Sequence, residues 1–291
     1  MKKENNLKNF INELKLMTPG EIVTKVLEYL FLFIGGLIMF FPFIWMVLSA
    51  FKTETELISF ESLLPKKWIF DNFYKAWSIA PFAQYFINSI IVTIACVSLT
   101  MFVTILAAYG FSKLKFRGRD SIFEAFLAFM MIPYEMIMIT NYITVQKMHI
   151  FGTYLSLIIP FTSSIFYTYI LRNFFKSVPD SLYQSARIDG ASDWQYLWQV
   201  MVPIAKPSLV TICLLDAITC WNSFTWTMLM SSSNVDIRTL PYGLTMFTNE
   251  AGVHYNLWMA GASIVVIPMV VLFLFCRKEI ITGVSRGGLK G

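Results

Sequence analysis

The sequence predicts an all-α membrane protein with six transmembrane helices, and three observations carry that expectation. Hydrophobic residues make up 56% of the 291 and charged residues only 14%, whereas soluble domains carry about 25% charged residues. Mean hydropathy is +0.61. Six stretches of mainly apolar residues recur along the chain, each near the ~20 residues that cross a bilayer core as helix. Basic residues sit at the ends of these stretches and not in one patch, which argues against a nucleic-acid surface although the formal net charge is +5.

Ahead of the first stretch, Leu7, Phe10, Ile11 and Leu14 follow the i, i+3, i+4, i+7 spacing of an amphipathic helix. With Lys8 and Lys15 beside it, such a helix either lies on the inner membrane surface or packs on its own bundle. Residues 1–26 thus form a cytoplasmic or interfacial segment. Thr18-Pro19-Gly20-Glu21 reads as a capping box with proline at the first helical position. A new helix starts there and runs into the first span, at 27–50. That apolar run starts too late and is too long for a cleavable signal peptide.

Residues 51–83 form one large outer loop, punctuated by Pro65 and Pro81. Its Trp68, Phe70, Phe73, Tyr74 and Trp77 suit either interfacial anchoring or packing on a partner. Residues 84–276 read as the core membrane domain. The second span covers 85–111. The third, 122–144, is interrupted by Glu135 and Asn141, and Pro133-Tyr134 predicts a distortion there. The fourth covers 154–174, the fifth 208–230 and the sixth 257–276. Residues 277–291 read as a cytoplasmic tail.

Orientation follows from Lys and Arg in the connections. With both termini cytoplasmic, 17 of the 23 basic residues lie inside and 6 outside. That bias predicts an N-in, C-in arrangement and an even number of spans. The four cysteines fall within apolar runs without CxxC or metal-ligand spacing, so they read as small buried hydrophobes.

The connection between the fourth and fifth spans, 177–203, is the most informative stretch. Pro179 suits a first helical turn, and good helix formers follow up to Gly190, which permits the left-handed conformation that ends a helix. Ser192 then begins a second capping box with Gln195, and a short helix runs to near Pro203. The reading is helix, glycine corner, helix: either an ordinary structured loop or a stiff, exposed lever seated in a partner's groove. As a lever, Leu182 and Tyr183 supply apolar contacts, and Gln184, Ser185, Arg187 and Asp189 supply polar ones.

This stretch resembles the EAA loop of ABC importer membrane subunits, a pattern close to E-A-A-x-x-x-G followed by I-x-L-P. The matching residues are Gln184-Ser185-Ala186, Gly190 and Val200-Met201-Val202-Pro203. The longer run from Ala186 to Ser192 is similar to the carbohydrate-importing branch. Gln184 stands where the pattern has glutamate, and Ser185 where it has alanine; the corner shape depends on neither. The resemblance extends over nearly the whole chain. Phe41-Pro42-Phe43-Ile44-Trp45 with Ser49-Ala50-Phe51-Lys52 is similar to the first span of the maltose-type second membrane subunit. Asn88-Ser89 with Val92-Thr93, Ala107-Ala108-Tyr109-Gly110-Phe111, and Trp221-Asn222 are similar to its later spans.

The resemblance implies a type I ABC importer (MetI-like) permease fold in a bacterial inner membrane. It implies a pore shared with a second permease subunit, two ATPase subunits, and an extracytoplasmic sugar-binding protein. This chain would bind no cofactor and no metal, and ATP-Mg would sit on the partner subunits. Leu182, Tyr183, Gln184, Ser185, Ala186, Arg187, Asp189, Gly190 and Pro203 would form the ATPase-coupling element. In the tail, Gly288, Leu289 and Lys290 either reach the ATPases or form a disordered end.

Polar groups inside a span are costly and need a reason. Asp216, in the fifth span, either faces the pore or makes a structural hydrogen bond within the bundle. Trp221, Asn222 and Trp226 mix ring faces with hydrogen-bonding groups, as sugar sites do. Asn222 and Trp226, four apart, would share one helix face. The alternative is ordinary aromatic packing.

No GxxxxGK[ST], HExxH or GxSxG run occurs, and the only histidines are His149 and His254. ATP hydrolysis by this chain and a membrane-embedded enzyme are disfavoured. A stand-alone secondary transporter would leave the glycine corner unexplained and shows no internal repeat here. An ABC permease for peptides or phosphate esters is the nearer alternative.

Overall fold

The structure is a computed structural model in which residues 18–59, 62–249 and 252–288 are described. The amphipathic pattern over 7–14 and the tail residues Leu289 and Lys290 lie outside that set.

Helix α1, Pro19–Ala50, starts at the expected box: Thr18 accepts from the Glu21 backbone, and the Glu21 side chain accepts from that of Thr18. Its most apolar window has 0% of its residues buried within the chain. An apolar surface on that scale needs lipid or a partner against it. After α1 come α2, Glu54–Ser59, and α3, Asp71–Ser78. The loop is fastened from within. Phe51 gathers the rings of Trp68, Phe70 and Phe73, with centroids 5.1, 5.1 and 5.0 Å away. Asn72 donates to the carbonyls of Ala50 and Lys52, both at 2.8 Å. Part of the aromatic content expected to meet a membrane or partner therefore packs on the chain itself.

Helix α4, Phe82–Ser112, is the central span. It packs on α8, Ile165–Ser177, and on α12, Lys206–Trp221, which also packs on α14, Tyr255–Gly288. Small and hydroxyl residues are buried along α4 and α14: Ser89, Thr100, Thr104, Ala108, Ala260 and Ser263. Lipid tails are as apolar as leucine, so close backbone approach and hydrogen bonds hold such helices together. Asn88 illustrates this. Its Nδ2 donates to the carbonyls of Asp236 and Arg238 at 2.7 and 2.8 Å, and its Oδ1 accepts from Tyr154 at 2.6 Å. Ser89 Oγ accepts from the Leu240 N–H at 2.7 Å.

The third, fourth and fifth predicted spans are not single straight helices. In the third, α5 (Arg119–Phe129) and α6 (Tyr134–Lys147) meet at 99°. Pro133 supplies no N–H and holds residue 132 out of the α region, so the helix cannot run through. In the fourth, α7 (Tyr154–Ile158) ends in a 3₁₀ turn through Phe161 and meets α8 at 44°. Pro160 and the polar run Thr162-Ser163-Ser164 account for that break, with Ser164 capping α8. In the fifth, α12 ends at Trp221, and α13, Thr225–Met230, is a separate helix. Asn222 and Trp226 therefore do not share one helix face. Before α12, residues Asp193–Ile204 run at 80° to it. Among the described residues three helices are thus long and apolar enough to cross a membrane alone, and up to six spans result if each bent pair counts as one.

Helix α14 runs past the sixth predicted span to Gly288. No proline follows Pro268, and Arg277-Lys278-Glu279 are good helix formers, so the backbone has no cause to stop at 276. The start of the expected tail is helix. The only strands among the described residues are β1, Thr248–Asn249, and β2, Gly252–Val253, paired antiparallel.

Candidate functional site

Two features stand out, a cavity among the broken helices and the corner after α8. The cavity measures about 680 Å³. It is lined by Val92 and Cys96 of α4, Tyr134 and Glu135 of α6, Ser163 and Ser164 before α8, Asp216 and Thr219 of α12, and Ser223 to Thr227 around α13. All three breaks inside predicted spans border it. Non-helical backbone at membrane depth survives only where it is buried in protein or lines a water-filled space. The breaks and the cavity therefore explain one another.

Of the four span residues singled out in the sequence, Asp216 and Trp226 line the cavity, whereas Trp221 and Asn222 lie outside its lining. Trp221 is buried with its Nε1 donating to the Val265 carbonyl of α14 at 3.0 Å. Trp226 donates Nε1 to the Ser156 carbonyl at 2.9 Å and meets Phe161 edge-on, with centroids 5.9 Å apart. Asp216 is 4% exposed, and its Oδ2 has no hydrogen-bond partner among the described residues. Cys220 Sγ lies 4.0 Å from its Oδ1. Sequence reasoning passed over Tyr134, Phe161, Ser163, Ser164 and Ser223 as lining groups. The available signal was Pro133, Pro160 and serines within apolar runs.

The corner is built as its chemistry dictates. Helix α9, Asp180–Ile188, ends in a Schellman motif. Gly190 has φ +82°, its N–H donates to the Arg187 carbonyl at 3.1 Å, and that of Ala191 donates to Ala186 at 2.9 Å. Ser192 and Gln195 form the expected reciprocal cap on α10, Asp193–Tyr196. A wide π turn, Leu197–Met201, follows and passes into α11, Val202–Ile204. Pro203 lies within α11, and the chain turns after it, at Ala205, into α12.

On α9, Leu182, Gln184, Ser185, Arg187 and Asp189 are exposed, whereas Tyr183 and Ala186 are half-buried. Tyr183 is an internal strut. Its hydroxyl donates to Asp193 Oδ1 at 2.8 Å, which pushes its phenol up, and its ring meets Tyr196 edge-on at 5.1 Å. Tyr109 of α4 donates to the same Oδ1 at 3.3 Å. Lys113 Nζ donates to Asp180 Oδ1 at 2.7 Å and to the Val178 carbonyl at 2.8 Å. That ammonium holds the Asp180 carboxyl below the usual carboxylate range. The exposed apolar tips are Ile188 at 86% and Trp194 at 57%, neither evident from sequence.

Residues 100–278, more than half of the chain, match the family described as binding-protein-dependent transport system inner membrane component. The chain belongs to that family. The permease protein AraQ of an arabinooligosaccharides transport system in Halalkalibacterium halodurans is 30% identical, over 93% of this chain and 98% of that relative. The permease protein NgcG of a diacetylchitobiose uptake system in Streptomyces coelicolor is 27% identical, over 90% of this chain and 87% of that relative. Among solved structures, a chain from a bacterial ABC transporter involved in the import of the acidic polysaccharide alginate matches with TM-score 0.77 at 24% identity, covering 91% of this chain and 99% of that one. That likeness shows the fold.

Proposed function

We propose that this chain is one of two membrane subunits of an ATP-driven, binding-protein-dependent importer of carbohydrate, oligosaccharides in particular, in a bacterial plasma membrane. The observation that carries the reading is a cavity framed by helix breaks and holding carboxyl and hydroxyl side chains, in a family member whose chain also presents a stiff exposed corner. In this reading Asp216 and Trp226 belong to the substrate path, and both termini are cytoplasmic, as the 17-to-6 basic bias favours. The sugar class follows the names of the relatives.

The corner at 177–203 couples to two ATPase subunits, which bind and hydrolyse ATP-Mg. The surface formed by Leu182, Gln184, Ser185, Arg187, Ile188 and Asp189 seats in an ATPase, and Gly190 sets the angle between the corner's arms. Gly288, Leu289 and Lys290 contribute a second contact. Two connections link the corner to the cavity. Asp193 ties α9 to Tyr109 at one end of α4, and α4 carries Val92 and Cys96 into the cavity wall. The run from α10 through α11 leads directly into α12, which carries Asp216. Closure of the ATPases would thus reach the cavity as a rigid-body shift of packed helices.

The test is uptake of a labelled panel of mono- to oligosaccharides in cells with and without this chain. Loss of one saccharide class on deletion, restored by the intact gene but not by Gly190→Pro, is the expected result. Unchanged uptake of every sugar, with loss of peptide or phosphate-ester uptake instead, would overturn the carbohydrate assignment. Uptake independent of an ATPase would overturn the importer reading itself.

A further inference from the structure

The cavity carries two carboxyl groups, Asp216 and Glu135, and no Lys, Arg or His lies among its described lining residues. Glu135 is exposed on the first turn of α6. Asp216 is 96% buried, being 4% exposed, and its Oδ2 is unpartnered among the described residues. An unmet acid oxygen in a buried site is costly and calls for an explanation. The walls offer what a sugar needs for the rest of its surface. Ser163, Ser164, Thr219, Ser223 and Asn141 bring hydroxyl and amide groups. Tyr134 and Phe161, 5.8 Å apart at 39°, add aromatic surface to the lining, which suits the apolar face of a pyranose or furanose.

We propose that this cavity is a saccharide subsite contributed by this chain and selective against acidic sugars. Asp216 accepts hydrogen bonds from sugar hydroxyls, the Tyr134–Phe161 pair covers the apolar ring face, and the two carboxyl groups repel sugar carboxylates. A neutral saccharide brings a donor for Asp216 Oδ2. A uronate brings a like charge into a space of low dielectric, where such juxtaposition is strongly disfavoured. The subsite deepens the importer reading above and rests on it.

The experiment is ATP-dependent uptake by the complete transporter in cells. The probes are neutral trisaccharides (maltotriose, arabinotriose and triacetylchitotriose), trigalacturonate, and the amine-bearing chitosan trimer. The unchanged transporter is expected to import at least one neutral trisaccharide and to favour it over trigalacturonate by ~10-fold or more. Asp216→Asn keeps the shape but replaces an acceptor oxygen with a donor; it should raise KM for the neutral sugar ~10-fold at similar maximal rate. Glu135→Gln, at an exposed position, should relax the rejection of trigalacturonate. Uptake of the amine-bearing trimer at or above the neutral level supports the carboxyl lining, and preference for trigalacturonate would overturn the subsite. So would unaltered KM and unaltered discrimination in both variants at normal membrane levels, a result that leaves the importer reading standing. No ATP-dependent uptake of any saccharide would overturn both.

Discussion

Tyr183 donates its hydroxyl to Asp193 across the glycine corner, at 2.8 Å. One helix of the corner is thereby braced against the other, and Tyr109 adds a third strut from α4 to the same carboxylate oxygen at 3.3 Å. A hydrogen bond to a charged acceptor contributes about 1.5–3 kcal/mol, and a longer one less. Tyr183→Phe should therefore loosen the corner without unfolding the bundle. Expected are faster amide exchange over residues 180–196 and weaker coupling of transport to ATP consumption. Tyr109→Phe should show the same changes at smaller amplitude. Equal exchange in Tyr183→Phe and the unchanged protein would show that ring packing on Tyr196 alone holds the corner.

Gly190 sets the corner's angle by a backbone conformation that other residues resist. Its φ is +82°, and an added Cβ would meet nothing within 4 Å. The cost of Gly190→Ala is therefore conformational and not steric, about 1–2 kcal/mol. Gly190→Asn should cost less, because asparagine tolerates the left-handed region better. The ranking Gly, Asn, Ala should appear both in thermal unfolding in detergent and in transport rate. A different order would mean that the residue acts through a contact and not through its φ.

The Lys113–Asp180 pair makes the corner's first turn sensitive to acid. The ammonium lowers the Asp180 pKa. A carboxylate depressed in the folded state contributes stability above its unfolded pKa of about 3.9 and loses it as pH falls through the folded value. Protection of residues 180–184 from exchange should therefore be level from pH 7 to about 5 and fall below about 4. Asp180→Asn should flatten that acid limb. Part of the anchorage should survive, because Lys113 also donates to the Val178 carbonyl at 2.8 Å, a bond that does not titrate.

What could be read from sequence divides along a physical line. The caps at Thr18 and Ser192 and the corner at Gly190 are decided by residues within a few positions, and each forms as its local chemistry requires. Hydropathy marks where the chain enters lipid, but it carries no direction. A window over 122–144 therefore reads the same whether the helix is straight or turns by 99° at Pro133. Asn222 and Trp226, four apart, shared one face only while one helix was assumed. The end of α12 at Trp221 sends Trp221 onto α14 and Trp226 to the cavity. Tyr183 was read as an outward contact because side-chain direction at a corner depends on Asp193 and Tyr196, which the chain brings back only after the turn.

At the end of the bundle away from this corner, Gly261 of α14 is required by a single ring. An added Cβ there would lie 2.5 and 2.6 Å from Phe247 side-chain atoms, and Phe247 is fully buried. The ring has no open side to move into, so Gly261→Ala overpacks the contact by one methyl and should cost about 1–3 kcal/mol. Phe247→Leu alone should also destabilise, through lost ring volume. Combining the two should recover part of the loss, because the smaller side chain makes room for the new methyl. Residues in direct contact are expected to be non-additive in this way. Thermal unfolding of the two single variants and the double variant in one detergent measures the coupling; strict additivity would show that the Cβ is accommodated by movement of α14 instead.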